Sequence, residues 1–212
     1  GVCIRALAGT YTITSPNFQI TSGGATQDTL TGYSALVCDV PLTCLLVPAL
    51  TFPYVSNTIY VNAAPNPVNF GIIDGFDIQG GSLLVGCGST SSCGDSAIEI
   101  VYGHHWKVIN NNLHDSAAAG LQTGWMDYLL LKNNHIYNNA WLGASEFSDV
   151  STITPFQVDN GASYHYLLQN NFLWGNAMSS HILPNSGHTD GEGIILDTVG
   201  DQRSYFGSIL VE

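Results

Sequence analysis

The sequence carries few charged side chains. Of its 212 residues only 9% are charged, and four Lys and Arg residues stand against 16 Asp and Glu residues, which gives a net charge of -12. Binding to phosphate groups requires basic side chains, so this balance excludes nucleic acid and anionic membrane surfaces as expected partners. A strongly acidic polymer would also be repelled unless a bound cation intervened. Neutral glycans and acidic glycans bridged by a metal ion therefore remain open.

Long apolar runs and several common motifs are also absent. The segment LTCLLVPALTF (42–52) is shorter than the run of about 18 residues that a membrane-spanning helix needs, and it contains Pro48. We therefore expect no membrane insertion. No GxSxG, HExxH or phosphate-binding loop occurs, so nothing points to an organic cofactor. No stretch shows sustained helical periodicity, which excludes helical repeats.

Cysteine is scarce, but four of the five cysteines form two close pairs, CDVPLTC and CGSTSSC. No CxxC motif or nearby Cys/His cluster favours a metal site. We predict disulfides between Cys38 and Cys44 and between Cys87 and Cys93, which indicates an oxidising, extracellular location. The alternative is a set of free buried thiols. Cys3 is left over, so its partner would lie upstream or on another chain.

A phrase built on paired asparagines recurs along the chain, as WKVINNNLHDS, LLLKNNHIYNN and YLLQNNFLWGN. The first asparagines of the pairs are Asn110, Asn133 and Asn170, with separations of 23 (133 − 110) and 37 (170 − 133) residues. The longer separation indicates an inserted loop. Apolar and polar residues alternate before each pair, as in β-strands. A period near 23 with this alternation predicts a solenoid.

Paired asparagines suit a corner of such a solenoid. Successive turns lie ~4.8 Å apart, so identical side chains stack on one another. We predict that Asn110, Asn133 and Asn170 point inward and form a ladder, in which each amide donates to the next carbonyl and to turn backbone groups. Asparagine also tolerates the left-handed conformation that a sharp turn requires. A second family of strands, AIEI, GLQT and GIILD, precedes the asparagine-containing strands.

The segments IIDGFDIQG, WKVINNNLHDSAAAGLQT, YLLLKNNHIYNN and HTDGEGIILD resemble the right-handed parallel β-helix, or pectin-lyase-like, superfamily. The resemblance implies an all-β, right-handed parallel β-helix solenoid with roughly 23 residues per rung, an asparagine ladder at one corner and loop insertions between rungs. We expect one domain over residues 1–212, with regular rungs over 71–212 and a weaker match over 1–70. The chain begins at Gly1 without a signal peptide and stops after an inward strand, so we expect a processed or partial chain that lacks its C-terminal rungs or cap.

The resemblance also implies a function in carbohydrate chemistry, because the superfamily includes polysaccharide lyases, glycoside hydrolases and adhesins. We predict a secreted or cell-surface polysaccharide lyase that cleaves a uronate-containing glycan by metal-assisted β-elimination. One alternative is a non-catalytic structural or adhesive solenoid that associates end to end. Another is a glycoside hydrolase, which needs two carboxylates about 5–9 Å apart. Its candidate carboxylates are Asp149, Asp159, Asp190 and Asp197.

Candidate chemistry concentrates in the polar segment SSHILPNSGHTDGEGIILD (179–197). Carboxylates and carbonyl groups at this density suit Ca²⁺, which takes six to eight oxygen ligands. The predicted Ca²⁺ ligands are Asp190, Glu192 and Asp197. The candidate bases or charge clamps are Arg203, Lys132 and His188. The alternatives are a plain turn at the acidic segment and solvated surface cations at the basic positions.

Aromatic residues are the candidate sugar-binding groups. Trp174 and Tyr137 fall in one column beside His114 of the preceding rung, and we predict that these three residues bind substrate. The alternative is that the aromatic rings pack under loops. The adjacent His104 and His105 should face opposite sides of a strand, so we expect them to be structural and not to chelate one metal ion.

Overall fold

The computed structural model describes residues 1–14, 17–25, 32–49, 57–63, 65–81, 96–140, 150–153, 158–159, 161–175, 193–197 and 208–212. Within these ranges the chain is all β: strands pair in parallel and no α-helix is present. In the same ranges, no helix is long and apolar enough to cross a membrane. The predicted all-β class with parallel sheets is therefore confirmed.

The strands form three parallel stacks, which the chain visits in the repeating order A, B, C. Stack A contains β1 (Cys3–Ala6), β4 (Ser34–Cys38), β7 (Gly71–Asp74), the second halves of β9 (Ile98–Ile109) and β11 (Leu121–Lys132), β14 (Tyr164–Gln169) and β17 (Ser208–Val211). Stack B contains β2 (Gly9–Ile13), β5 (Cys44–Pro48), β8 (Phe76–Gln79), β10 (Asn112–His114), β12 (His135–Tyr137) and β15 (Phe172–Trp174). Stack C contains β3 (Phe18–Ile20), β6 (Ile59–Val61), the first halves of β9 and β11, β13 (Val150–Ile153) and β16 (Ile194–Asp197). This repeating order is compatible with a β-helix-like solenoid.

The core lies between the three stacks and consists of like side chains in register. In stack C the inward residues Ile59, Ile98, Leu121 and Val150 pair in succession and are fully buried. Burying each such side chain contributes about 1.5–3 kcal/mol. The alternation along each strand therefore places one face in the core and leaves the other available for a site.

The first asparagine of each pair makes the turn from stack A to stack B. Asn110, Asn133 and Asn170 adopt left-handed backbone conformations, with φ of 58°, 55° and 52°. Asn133 donates to Asn110 through their amide groups at 3.2 Å, but its side chain is exposed. The predicted inward orientation of these three residues is wrong, because a left-handed residue breaks the alternation of the strand and brings the next residue inward.

The second asparagine of each pair fills the inward position. The Nδ2 group of Asn111 lies 3.2 Å from Oδ1 of Asn134, and Asn134 Nδ2 donates to Oδ1 of Asn171 at 2.9 Å. These partners are 23 and 37 residues apart in sequence. Each of the three amides also donates to a carbonyl of the strand below, namely that of Ile73, Val108 or Leu131. A chain of hydrogen-bonded amides therefore joins successive turns at the A–B corner.

The predicted disulfide between Cys38 and Cys44 is confirmed. It closes the turn between β4 of stack A and β5 of stack B, near the same corner as the asparagines. Cys3 is exposed and free. Cys87 and Cys93 lie outside the described residues, so their pairing stays a prediction.

Candidate functional site

Stack B presents an outward column of three rings, which we call the aromatic column: His114, Tyr137 and Trp174. The three residues occupy the same register position on β10, β12 and β15. The rings of His114 and Tyr137 stack with centroids 5.0 Å apart and planes within 5°, and those of Tyr137 and Trp174 stack at 4.5 Å and 9°. The structure therefore brings the three predicted sugar-binding residues together, although their role stays a prediction.

The Trp174 end of the column widens into a partly exposed aromatic surface. Trp174 is 47% exposed and Phe172, on the same strand, is 65% exposed. The ring of His135 meets both edge-on, with centroids 5.7 Å from Trp174 and 5.5 Å from Phe172. Large rings held on a rigid sheet but left accessible to solvent are a feature of binding surfaces.

His114 is held between two carboxylates. Its Nε2 lies 3.0 Å from Oδ1 of Asp77, and its Nδ1 lies 2.8 Å from Oδ2 of Asp115. Burial lowers the pKa of His114, but hydrogen bonds to the two carboxylates outweigh burial and raise this pKa above its usual value. The bond from His114 in turn lowers the pKa of Asp77. When His114 is protonated, each of its two ring N–H groups can thus donate to a carboxylate, one on either side of the ring.

A second polar cluster, which the sequence did not predict, lies at the corner between stacks C and A. Asp127 and His165 are both fully buried, with Asp127 Oδ1 2.7 Å from His165 Nδ1. The other oxygen of Asp127 accepts a hydrogen bond from the backbone N–H of Val158 at 2.8 Å. Above this pair, the ring of Tyr128 stacks between those of His105 and His165 at 4.3 and 4.1 Å. We call these residues the corner cluster.

His104 and His105, the second of which belongs to the corner cluster, do not face opposite sides of a strand as predicted. His105 has a φ of 59°, and this left-handed conformation brings its Nδ1 to 2.7 Å from Nδ1 of His104. Burial, followed by the neighbouring His104, lowers the pKa of His105 to about 4. Two neutral imidazoles that share one proton explain this contact. The prediction failed because it assumed that both histidines have an extended strand conformation, whereas His105 is left-handed.

Tyr128 ties the corner cluster to the segment that precedes β14. Its hydroxyl donates to Oδ1 of Asp159 at 2.6 Å. Burial and then this bond raise the pKa of Tyr128 to about 12, and the same bond lowers the pKa of Asp159. A phenol with so high a pKa is a poor general base at neutral pH. Together with the full burial of His165, this indicates that the corner cluster stabilises the fold.

Of the remaining predicted site residues, Lys132 and Asp197 are among those that the structure describes, and neither lies on stack B. Lys132 lies on stack A, paired in register with Ile109 and Gln169. Asp197 is the last residue of β16 in stack C. The other predicted ligands and bases, His188, Asp190, Glu192 and Arg203, lie outside the described residues. Among the residues that the structure describes, no group of three or more His, Cys, Asp or Glu side chains is suited to a metal ion, and the predicted calcium site stays a prediction.

Comparison of the chain with protein-family models, with curated proteins and with solved structures gave no match. The geometry of the aromatic column is therefore the basis on which a function can be assigned.

Proposed function

We propose that this chain is a right-handed parallel β-helix, with about 23 residues in its shortest rungs and an asparagine ladder at one corner, and that it binds an extracellular polysaccharide on the aromatic column. Three features support the fold proposal. The strands repeat in the order A, B, C, hydrogen-bonded asparagines lie 23 residues apart, and Asn111, Asn134 and Asn171 bond in succession. The disulfide between Cys38 and Cys44 supports an oxidising compartment.

The glycan proposal rests on one observation, the exposed Trp174 ring at the end of a rigid stack that begins with His114 and its two carboxylates. A sugar ring has an apolar C–H face, which packs on an aromatic ring, and hydroxyl groups, which donate to carboxylates. The side chains of Asp77 and Asp115 are 28% and 48% exposed. Both kinds of contact are therefore offered on one outward surface, and neighbouring strands hold them at fixed spacing.

Binding should be measured by calorimetry against a panel of plant, algal and microbial polysaccharides, with the Trp174→Ala variant beside the unmodified chain. Truncating an aromatic anchor costs about 2 kcal/mol, or about 30-fold in affinity. Trp125→Ala is the matched control, because Trp125 is 48% exposed but lies at the C–A corner. Equal affinity in Trp174→Ala and the unmodified chain, or an equal loss in both variants, would contradict the assignment.

Cleavage by β-elimination stays a prediction of the sequence, because Lys132 lies on a different stack from the column and Arg203 and His188 lie outside the described residues. The measurement is the ultraviolet absorbance of the unsaturated product on uronate polymers, with and without EDTA. A signal that EDTA abolishes would support the metal-assisted lyase. Flat traces with retained binding would leave an adhesive or structural role.

A further inference from the structure

We infer that the aromatic column takes a neutral polysaccharide and discriminates against polyuronates, an inference that rests on the glycan binding proposed above. It concerns the chemical class of the ligand, and it follows from the charges that surround the column. This inference differs from the sequence-based prediction, which was that the chain acts on a uronate-containing glycan.

The strands of stack B contain no lysine or arginine. Their outward residues near the column are polar and uncharged or aromatic, apart from Asp77 and the histidines His114 and His135. Asp115 follows β10 directly and adds a second carboxylate. A sugar lying along the column therefore meets two carboxylates and no permanently charged cation on these strands.

His114 does not reverse the negative charge at the column. Both of its ring nitrogens are engaged by carboxylates, and its side chain is only 13% exposed. When His114 is protonated, the group of His114, Asp77 and Asp115 carries a net charge of −1, and when it is neutral the group carries −2. His135 is occupied by ring contacts with Trp174 and Phe172. Uronate carboxylates placed at the column would thus meet net repulsion when Asp77 and Asp115 are ionised and His135 is uncharged.

The lysine and arginine residues of the described part of the chain all lie on stack A. Arg5 is paired with Asp39, and the Nζ of Lys107 lies 4.2 Å from the centroid of the Tyr33 ring. Lys132 is on β11, in register with Gln169. The strands thus separate cations from the aromatic column, whereas a site for polyuronates would place cations beside it.

The same carboxylates suit hydroxyl groups. Each carboxylate oxygen can accept two hydrogen bonds, so bonds to His114 do not exhaust Asp77 and Asp115. Asp115 Oδ1 receives only a long contact of 3.3 Å from Asn138 Nδ2. A neutral polysaccharide can rest the C–H face of one sugar on Trp174 while hydroxyl groups of another sugar along its chain donate to these oxygens. Neutral glycans gain both kinds of contact and meet no like charge.

The test is a pair of calorimetric titrations on the full chain at low and at raised salt. The neutral probes are β-glucan, xylan and galactan, and the acidic probes are polygalacturonate and alginate. We expect at least one neutral polymer to bind about tenfold more tightly than either polyuronate at low salt. Added salt should leave the neutral polymer unaffected and weaken the discrimination, because it screens the repulsion.

Variants of Asp77 and Asp115 test whether the preference for neutral polymers arises at the column. Asp115→Asn removes one exposed charge, and Asp77→Asn together with Asp115→Asn removes both. We expect the neutral-to-uronate affinity ratio to fall in each, while Asp39→Asn, a carboxylate that pairs with Arg5 of stack A, leaves it unchanged. Asp115→Asn provides the readout if the double variant does not fold, since Asp115 lies at the exposed end of the cluster.

The outcomes separate the two proposals. Polyuronate binding as tight as neutral binding, lost in Trp174→Ala, would overturn this inference and leave the glycan function standing. An unchanged affinity ratio in Asp115→Asn and in the folded double variant would overturn it as well. No binding to any polymer would refute the glycan function, and the inference would fall with it.

Discussion

The conformation of one residue per turn decides which asparagine enters the core. Asn133 has a φ of 55° and an exposed side chain, whereas Asn134, one residue later, is fully buried. Asn134 Nδ2 lies within 3.1 Å of two backbone carbonyls and of the Asn171 amide oxygen, and its own Oδ1 accepts from Asn111. The first asparagine of the pair therefore makes the turn, and the second forms buried hydrogen bonds inside it.

We predict that Asn134→Ala lowers the free energy of unfolding by about 2–4 kcal/mol, because it removes the acceptor of the buried Asn111 N–H and the donor to the Val108 carbonyl. Asn133→Ala is the matched control and should cost about 1 kcal/mol, the penalty of a left-handed conformation for alanine. Urea denaturation followed by circular dichroism measures both. An equal loss in the two variants would contradict the assignment of inward and outward asparagines.

His114 predicts a pH dependence of stability. Its folded pKa is raised above the ordinary value of 6.5, so its stabilising effect is complete below that value and is lost as pH rises through the folded pKa. As the pH rises above 6.5, we expect the free energy of unfolding of the unmodified chain to fall relative to that of His114→Gln. Urea denaturation over a pH series, with the difference between the two proteins plotted, isolates this residue from the other histidines. A constant difference across the series would refute the prediction.

At the level of strands, continuous β9 and β11 connect stacks C and A. Each strand bends at two left-handed residues, Tyr102 and His105 in β9 and Trp125 and Tyr128 in β11. The sequence predicted both halves of these strands, since Ile98 and Leu121 alternate as β residues do. It did not predict the corner cluster, because alternation fails at a left-handed residue and a single sequence does not mark where non-glycine residues adopt that conformation.

The column was more accessible to prediction than the corner cluster. His114, Tyr137 and Trp174 follow their asparagine pairs at a constant distance, so period alone placed them in one column. The contact between His114 and Asp77 was not predicted. Asp77 is paired in register with Asn112 and not with His114, so its side chain reaches His114 diagonally. Side-chain direction across columns is fixed by packing and not by period.

The buried pair between β11 and β14 carries a prediction at this level. His165→Ala would leave the buried Asp127 carboxylate without the imidazole beside it. Removing one partner of a buried pair lowers the free energy of unfolding by about 3–5 kcal/mol, and we expect a loss of this size. Asp159→Asn is the control, since Asp159 is an exposed partner of the same cluster. Thermal unfolding of both variants measures the effect. A loss in His165→Ala no larger than in Asp159→Asn would contradict a stabilising role for the pair.

The Cys38–Cys44 bond ties β4 to β5 across a sequence separation of six residues. Closing so short a loop stabilises by about 2 kcal/mol in the chain-entropy account. We expect the Cys38→Ala, Cys44→Ala double variant to lose about this amount in urea denaturation. Cys3→Ala should be neutral, because Cys3 is exposed and free. An unchanged midpoint in the double variant would contradict the expected stabilisation.

At the scale of the whole molecule, charged residues are few, and those that the structure describes are unevenly distributed. The chain carries a net charge of -12, and its three described lysine and arginine residues all lie on stack A, whereas the aromatic column lies on stack B. Composition predicted the exclusion of phosphate-bearing partners but could not predict this separation, because it depends on which strand occupies which stack. This separation supports the proposal that a neutral polymer binds stack B, where aromatic rings and hydrogen-bond acceptors lie apart from the described lysine and arginine side chains.

The most direct test of glycan binding at the column is a nuclear magnetic resonance titration of the indole N–H signals with the neutral polysaccharide that binds best. Signals of Trp174 and Trp125 are assigned from the corresponding alanine variants. We predict that the Trp174 signal shifts in proportion to bound ligand while those of Trp125 and the buried Trp106 stay in place. A Trp174 signal that does not move while another indole shifts would contradict it.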